Sequence, residues 1–466
     1  MKKLFSSLNK TVIALAAICF LSYQEVIARA GGGGGHGGGG GHSSGGGGFG
    51  GHGGGYGGGY GGGGLSVVII VLVVLFIVYW YSKNNNSSSG ENDDSENNEP
   101  QSNQPLPEGL DREKIQTAFL SIQEAWQNKD LKKVRKWISD GVYQRFNAQF
   151  AMMNKLSQVN KLTNISIENI HLANSGIDGN YQTADVSVSF TMDDEFSSEK
   201  YPSFNQKYRG DSAKEYWTFI KRQDAAADKN LYNSNNCPNC GGLFDLNMGE
   251  ISRCGWCGTL TNNASYDWVL SEITQADDYN GGSSFSKREE LQELTKNDTL
   301  FSVQRIEDVA SNIFMQIMEV MSGEPEKILT RFSDEETAAG IIKDKKEAGD
   351  FVFDRLYLNK VDLFDFYTNE ERLNLNFYLT ATYQRVQAGQ KLQLIDSEMI
   401  TKSYEMALSK NIKALQTAEK ETVFSYECAK CGAPYTDTTN DVCQHCGAPL
   451  IDFNRNWVLT FFKMIY

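Results

Sequence analysis

From residue 111 onward the apolar positions follow two periods in turn. Ile115, Phe119, Ile122 and Trp126 recur at helical spacing. Leu131, Val134, Ile138, Phe146 and Phe150 carry that spacing into a second helix expected to start after Asp130. The period then drops to two. Ile165 and Ile167 open one strand, and Ala184, Val186, Val188 and Phe190 alternate along another beyond the turn-like Gly176-Ile177-Asp178-Gly179. Tyr216 to Arg222 and Tyr266 to Ile273 read as two further strands. The order recurs, less clearly, downstream. Val303, Ile306, Val309, Ile313 and Ile317 mark a helix, with Phe314, Met315 and Met318 as core residues. Strands follow near Leu358–Tyr367, Arg372–Val386, Ser403–Leu408 and Trp457–Phe462. Helices first and antiparallel strands after them describe an α+β fold.

Upstream of residue 111 the pattern is of another kind. Lys2, Lys3 and Lys10 precede an apolar run from Thr11 to Leu21, and Ala28-Arg29-Ala30 is a small-x-small cleavage site, so residues 1–30 read as a signal peptide or a first membrane segment. Residues 31–64 are a glycine tract with the composition of a flexible spacer. Leu65 to Tyr81 is uncharged and ends on Trp80-Tyr81, which fits a short transmembrane helix with an aromatic boundary. Residues 82–110, rich in Asn, Ser, Glu and Pro, read as a disordered acidic linker. With the basic N-terminus retained inside, a first span leads out and the second returns. The C-terminal domains are therefore expected on the cytoplasmic face of the cell membrane.

Eight of the nine cysteines stand in paired CxxC knuckles: Cys237, Cys240, Cys254 and Cys257, then Cys428, Cys431, Cys443 and Cys446. Two thiolates three residues apart on a tight turn half-fill a tetrahedron, and the second knuckle completes it, so each set is expected to bind one structural zinc ion. Such binding contributes roughly 10–16 kcal/mol, enough to fold a tip with little core of its own. Gly241, Gly242, Gly255, Gly258, Gly432 and Gly447 are expected to make the knuckle turns at positive φ. Redox chemistry is the competing reading of Cys237-Pro238-Asn239-Cys240, but that chemistry uses a cysteine at a helix start, and here the pair runs into Gly241-Gly242. His445 lies inside the last knuckle as a bystander. The ribbons span residues 235–260 and 426–451. Tyr266-Asp267-Trp268-Val269-Leu270 follows the first and Arg455-Asn456-Trp457-Val458-Leu459 the second, which marks a duplicated module. Reduced, metal-type cysteines also agree with a cytoplasmic location.

Charge narrows the function. The chain carries a net charge of −14, and because residues 1–82 are net +3 the remainder is net −17. A domain so acidic repels phosphates, which argues against nucleic acid as a partner. Beyond the glycine tract the only histidines are His171 and His445, and no nucleophile or acid/base pairing is recognisable. A binding or scaffolding protein is favoured over an enzyme. The alternatives are an enzyme or small-ligand-binding protein using a concave pocket, or a zinc or redox sensor.

Ala118-Phe119 through Trp126-Gln127, Asp130-Leu131 and Trp137-Ile138-Ser139-Asp140-Gly141-Val142-Tyr143 resemble the two opening helices of a known domain. It is the C-terminal domain of the mitochondrial inner-membrane translocase subunit 44, found also in bacterial membrane proteins. Glu215 to Arg222 resembles its penultimate strand and Asp267-Trp268-Val269-Leu270 its last. The resemblance covers residues 111–275 well and 300–466 weakly, where Glu405-Met406-Ala407-Leu408 replaces the Trp217 type of strand. It implies two tandem cone-shaped domains of the nuclear transport factor 2-like type, at 111–290 and 300–466, each with an inserted zinc ribbon, behind the membrane anchor. It also implies a membrane-apposed scaffold for protein transport or assembly, whose partner is a protein or a hydrophobic client segment. No catalytic residue carries over.

Overall fold

The computed structural model describes residues 104–466 except 226–228, 245–247, 249, 282–284, 370, 417–427, 429, 432, 434–441, 450–455 and 466. The expected signal or first span, glycine spacer and transmembrane helix lie outside the described residues. Among those described, no helix is long and apolar enough to cross a membrane. Of the expected linker 82–110, the last residues are packed: Leu110 is buried, and Leu106 lies against the same core.

Helix α1 (Arg112–Asn128) starts at Asp111, whose carboxylate accepts the Lys114 N–H at 2.7 Å. It ends on Lys129 in the left-handed region. Helix α2 (Asp140–Lys155) begins later than the spacing suggested. Leu131, Val134 and Trp137 bury their side chains through turns instead, Ile138 bridges Leu270 in parallel, and Ser139 caps α2 by accepting the Val142 N–H. Turns that bring an apolar residue inward every three or four positions imitate helical periodicity.

The first sheet runs β1 (Gln158–Asp178), β2 (Tyr181–Ser198), β3 (Gln206–Arg222) and β4 (Val269–Gln275), antiparallel and in that order. β1 starts well before Ile165. Its inward positions there include Gln158 and Asn160, and the Asn160 side-chain oxygen accepts the Trp126 indole N–H at 2.7 Å. Polar residues on the buried face hid the alternation. The hairpin turns at Gly179-Asn180, since Asp178 still pairs with Tyr181, so Gly176 and Ile177 belong to the strand.

After α3 (Arg288–Thr295) come α4 (Val303–Met321), α5 (Glu335–Ala348), β5 (Val352–Thr368), β6 (Arg372–Ala388), β7 (Leu392–Leu394), β8 (Ile400–Asn411), α6 (Ile412–Gln416) and β9 (Val458–Met464). The second sheet has the order β5-β6-β8-β9, with the short β7 paired to β6. Neither α3 nor α5 was legible as a helix. The reason is plain for α5, which buries only Ala338 and Ile341. The architecture is α+β, with two antiparallel sheets packed against helices.

The two halves share their irregularities. β1 and β2 slip register after Thr163, Ile167 and Leu172, and β5 and β6 slip after Asp354, Leu358 and Leu363, each 191 positions later. Asn164 at the first slip and Arg355 at its counterpart both take positive φ. The β3/β4 slip at Thr218/Phe219 recurs at Ala407/Leu408, 189 positions on. Even the parallel bridge Ile138–Leu270 has its twin in Ser333–Leu459.

Helix α2 joins the halves. It packs on α4 and β5, and its Ala148 and Met152, with Leu156 at its end, are buried in the apolar cluster of the second half. Asp308 of α4 accepts the Ser139 hydroxyl at 2.5 Å and the Gly141 N–H at 3.1 Å, so it reinforces the N-terminus of α2. Gly141 is required there, because a Cβ would lie 2.6 Å from the Asp308 carbonyl oxygen and closer still to its carboxylate. Glu319 accepts the Gln144 amide at 2.5 Å, and Arg145 donates to Ser311 at 2.6 Å. Burial pushes the Asp308 carboxyl up to about 7 and the Glu319 carboxyl up to about 8.

Candidate metal centres

Both predicted cysteine sets come together. Within each, the four sulfurs lie within 4.8 Å of one another. In the first, Cys237 and Cys257 are 3.7 Å apart and Cys240 and Cys254 3.8 Å. In the second, Cys428 and Cys446 are 3.5 Å apart and Cys431 and Cys443 3.7 Å. Four sulfurs each about 2.3 Å from a central ion define a tetrahedron with edges of about 3.8 Å. A disulfide needs about 2.05 Å, and all eight thiols are free. The donor set, its spacing and its closed coordination fit a structural zinc site. His445 stays outside the second set, and only its backbone N–H points at Cys443 Sγ, 3.4 Å away.

The knuckles follow from local backbone chemistry. In the first, the Cys237 N–H donates to the Gly242 carbonyl and the Gly241 N–H to the Cys237 carbonyl; in the second, Cys254 and Gly258 repeat the pattern with Thr259 as the far partner. Gly241, Gly258 and Gly447 take positive φ, as the turns demand. Gly242 and Gly255 do not. At Gly242 the requirement is space, since a Cβ would meet the Trp256 ring at 3.0 Å. Burial pushes the Cys237 thiol up to about 12, whereas the Thr259 hydroxyl helps to pull Cys257 down to about 6. A divalent ion would displace the remaining thiol protons on binding.

The first ribbon is welded to its half. Cys237, Cys254, Phe244 and Met248 belong to the same apolar cluster as Trp217 and Trp268. Leu231 N–H and Lys114 Nζ both donate to the buried Asp267, at 2.9 and 2.6 Å. Tyr232 stacks on Trp137 at 4.7 Å and donates its hydroxyl to the Trp268 carbonyl. Buried Arg135 reaches the Glu250 carbonyl at 2.6 Å. Trp217 and Trp268 are fully buried.

Residues 112–230 match the family model of the Tim44-like domain. No curated protein and no solved structure matches the chain. The match ends just before the first ribbon, so the metal centres and the second half lie outside it. Two features escaped the sequence reading. One is the carboxylate-lined contact between α2 and α4. Its signal was Gly141 in the first turn of a helix, where glycine is unfavourable unless space is short. The other is Trp256, an aromatic residue inside a metal knuckle that the metal does not need.

Proposed function

We propose that this protein is a membrane-anchored, non-enzymatic scaffold that holds a protein client for transport or assembly at the cytoplasmic face of the membrane, with two structural zinc ions in its ribbons. The carrying observation is the Tim44-like domain at residues 112–230, since that family points to a protein-transport-related binding role. Its nuclear transport factor 2-like shape agrees with helices α1 and α2 laid against the antiparallel sheet β1–β4. Three carboxyls that burial raises also favour scaffold over enzyme, the first being Glu307, which accepts the Leu363 N–H at 2.9 Å inside the second half. Asp308 and Glu319 are occupied in hydrogen bonds between the halves. Crosslinking in native membranes, followed by capture in mild detergent, tests the reading. A stoichiometric protein partner that crosslinks to residues 104–466 is expected. Turnover of a small molecule by the purified chain, lost on changing one carboxylate, overturns it.

A further inference from the structure

The tip of the first ribbon carries the most exposed aromatic side chain among the described residues. Trp256 is 78% exposed and its neighbour Leu243 67%. Neither is loosely displayed. The Trp256 indole N–H donates to the Leu243 carbonyl at 3.1 Å, and the ring lies over Gly242 beside Cys240. The knuckles thus hold an open apolar pair at fixed geometry, which is the arrangement of a preorganised contact. Packing does not explain it, because Cys237, Phe244, Met248 and Cys254 already face the core. Nor does the metal, because the second ribbon reaches the same sulfur spacing with His445 in the place of Trp256.

Two observations say what covers this pair. The first is where the chain enters. The Trp268 indole N–H donates to the Glu108 carbonyl, and Lys114 joins the Gly109 carbonyl to Asp267, which also holds Leu231 at the root of the ribbon. The tether therefore meets the domain at the base of this ribbon and not at the far half. The 22 residues from 82 to 103 can span at most about 75 Å, whatever their conformation. The second is charge. Between residues 230 and 262 the only charged residues are Asp245, Glu250 and Arg253, in a chain of net charge −14. Glu250 is paired with Arg331 at 2.6 Å. The tip is thus a nearly neutral, Gly- and Asn-rich surface around a tryptophan and a leucine. Tryptophan beside an apolar chain, with Arg253 as the one basic residue of the ribbon, suits the headgroup level of a zwitterionic bilayer.

From this geometry we infer that the first ribbon is a membrane-docking finger: Trp256 and Leu243 insert at the zwitterionic lipid interface and fix the domain against the bilayer to which it is tethered. The inference rests on the membrane anchoring proposed above. The test uses the full chain labelled with fluorotryptophan and reconstituted in phosphatidylcholine vesicles. Fluorine resonances are assigned from Trp256→Phe, Trp80→Phe and Trp217→Phe. A nitroxide on the lipid headgroup is expected to erase the Trp256 line and leave that of the core residue Trp217. Raising the salt leaves the effect unchanged, and Leu243→Asp restores the line while the chain still holds two zinc ions. If the Trp80 line is erased and the Trp256 line persists, the anchor stands and the finger is overturned, as it would be if a protein occupied the tip. If both persist, anchoring falls and the finger with it. Loss of the Trp256 line alone keeps the finger and overturns the anchor.

Discussion

Gly141 and Glu336 are equivalent residues, each second in the second helix of its half, and their surroundings have nothing in common. Gly141 is pressed against Asp308 of the other half, whereas Glu336 is open to water. Around them the same contrast holds along both helices. α2 lends Ala148 and Met152 to the neighbouring core, while α5, the helix at the same place 195 positions later, buries two residues and shows Lys343, Asp344, Lys346 and Glu347 outward. The halves repeat their strands, slips and bridges but not their contacts. A repeat that stacks in one direction must end somewhere, and a terminal unit with a charged outer face is the usual ending. Docking the first unit on the second also changed α4. It is buried on both sides, by its own sheet and by α2, whereas its counterpart α1 leaves Leu120 exposed.

The largest expected difference between the halves lies in their metal centres. Cys254→Ser and Cys443→Ser should each lower zinc from two ions to one per chain, read by metal analysis. Cys254 belongs to the first half's apolar cluster, so its loss should cost more than about 4 kcal/mol there, as metal-site losses do. Cys443 lies outside the second half's cluster, and its replacement should leave protection of β5–β8 in hydrogen exchange nearly unchanged. Equal damage from both would break the contrast.

Next comes the buried ion pair. Lys114–Asp267 at 2.6 Å has no twin, because Asn456 replaces Asp267 and Arg305, in the place of Lys114, donates to the Tyr181 hydroxyl at 2.8 Å. Asp267→Asn should therefore cost about 3–5 kcal/mol by stranding Lys114, and Tyr181→Phe only about 1 kcal/mol, in denaturant melts.

The contact between halves should weaken as pH rises. Asp308 and Glu319 titrate near 7 and 8 in the folded chain, above the unfolded values of about 3.9 and 4.3, so the native state keeps protons that the unfolded chain releases. Their contribution is full below pH ~4 and declines up to the native values, by at most about 1.4 kcal/mol per pH unit for each group. Hydrogen exchange in α2 and α4 should quicken between pH 5 and 8 beyond its intrinsic pH dependence. Asp308→Asn should flatten that trend, and no flattening would clear Asp308 of the role. The smallest effect separates the two residues compared first. Gly141→Ala should cost about 1–3 kcal/mol through overpacking, and Glu336→Ala should change stability by less than about 0.5 kcal/mol.

What could be read from the sequence was whatever one residue type signals by itself. Paired cysteines at fixed spacing announced both metal centres, and alternating Ala184, Val186, Val188 and Phe190 announced β2. Where burial is polar the signal failed, as at Gln158 and Asn160 in β1. Where a helix is buried on one thin stripe it failed again, as in α5. The joint between halves was illegible for a third reason. Asp308, Glu319 and Gln144 look like surface residues one at a time, and only their pairing across more than 160 positions makes them interior.

That separation has a consequence for the chain as it is made. Asp308 emerges 169 residues after Ser139, which at 5–20 residues per second is a delay of roughly 8–34 s. Late in it, once β4 has emerged, the first half can close its sheet and take up its metal, yet Ala148, Met152 and Leu156 still lack their cover from α4. A nascent chain stalled before residue 303 would present this strip to any chaperone or neighbouring ribosome product within reach.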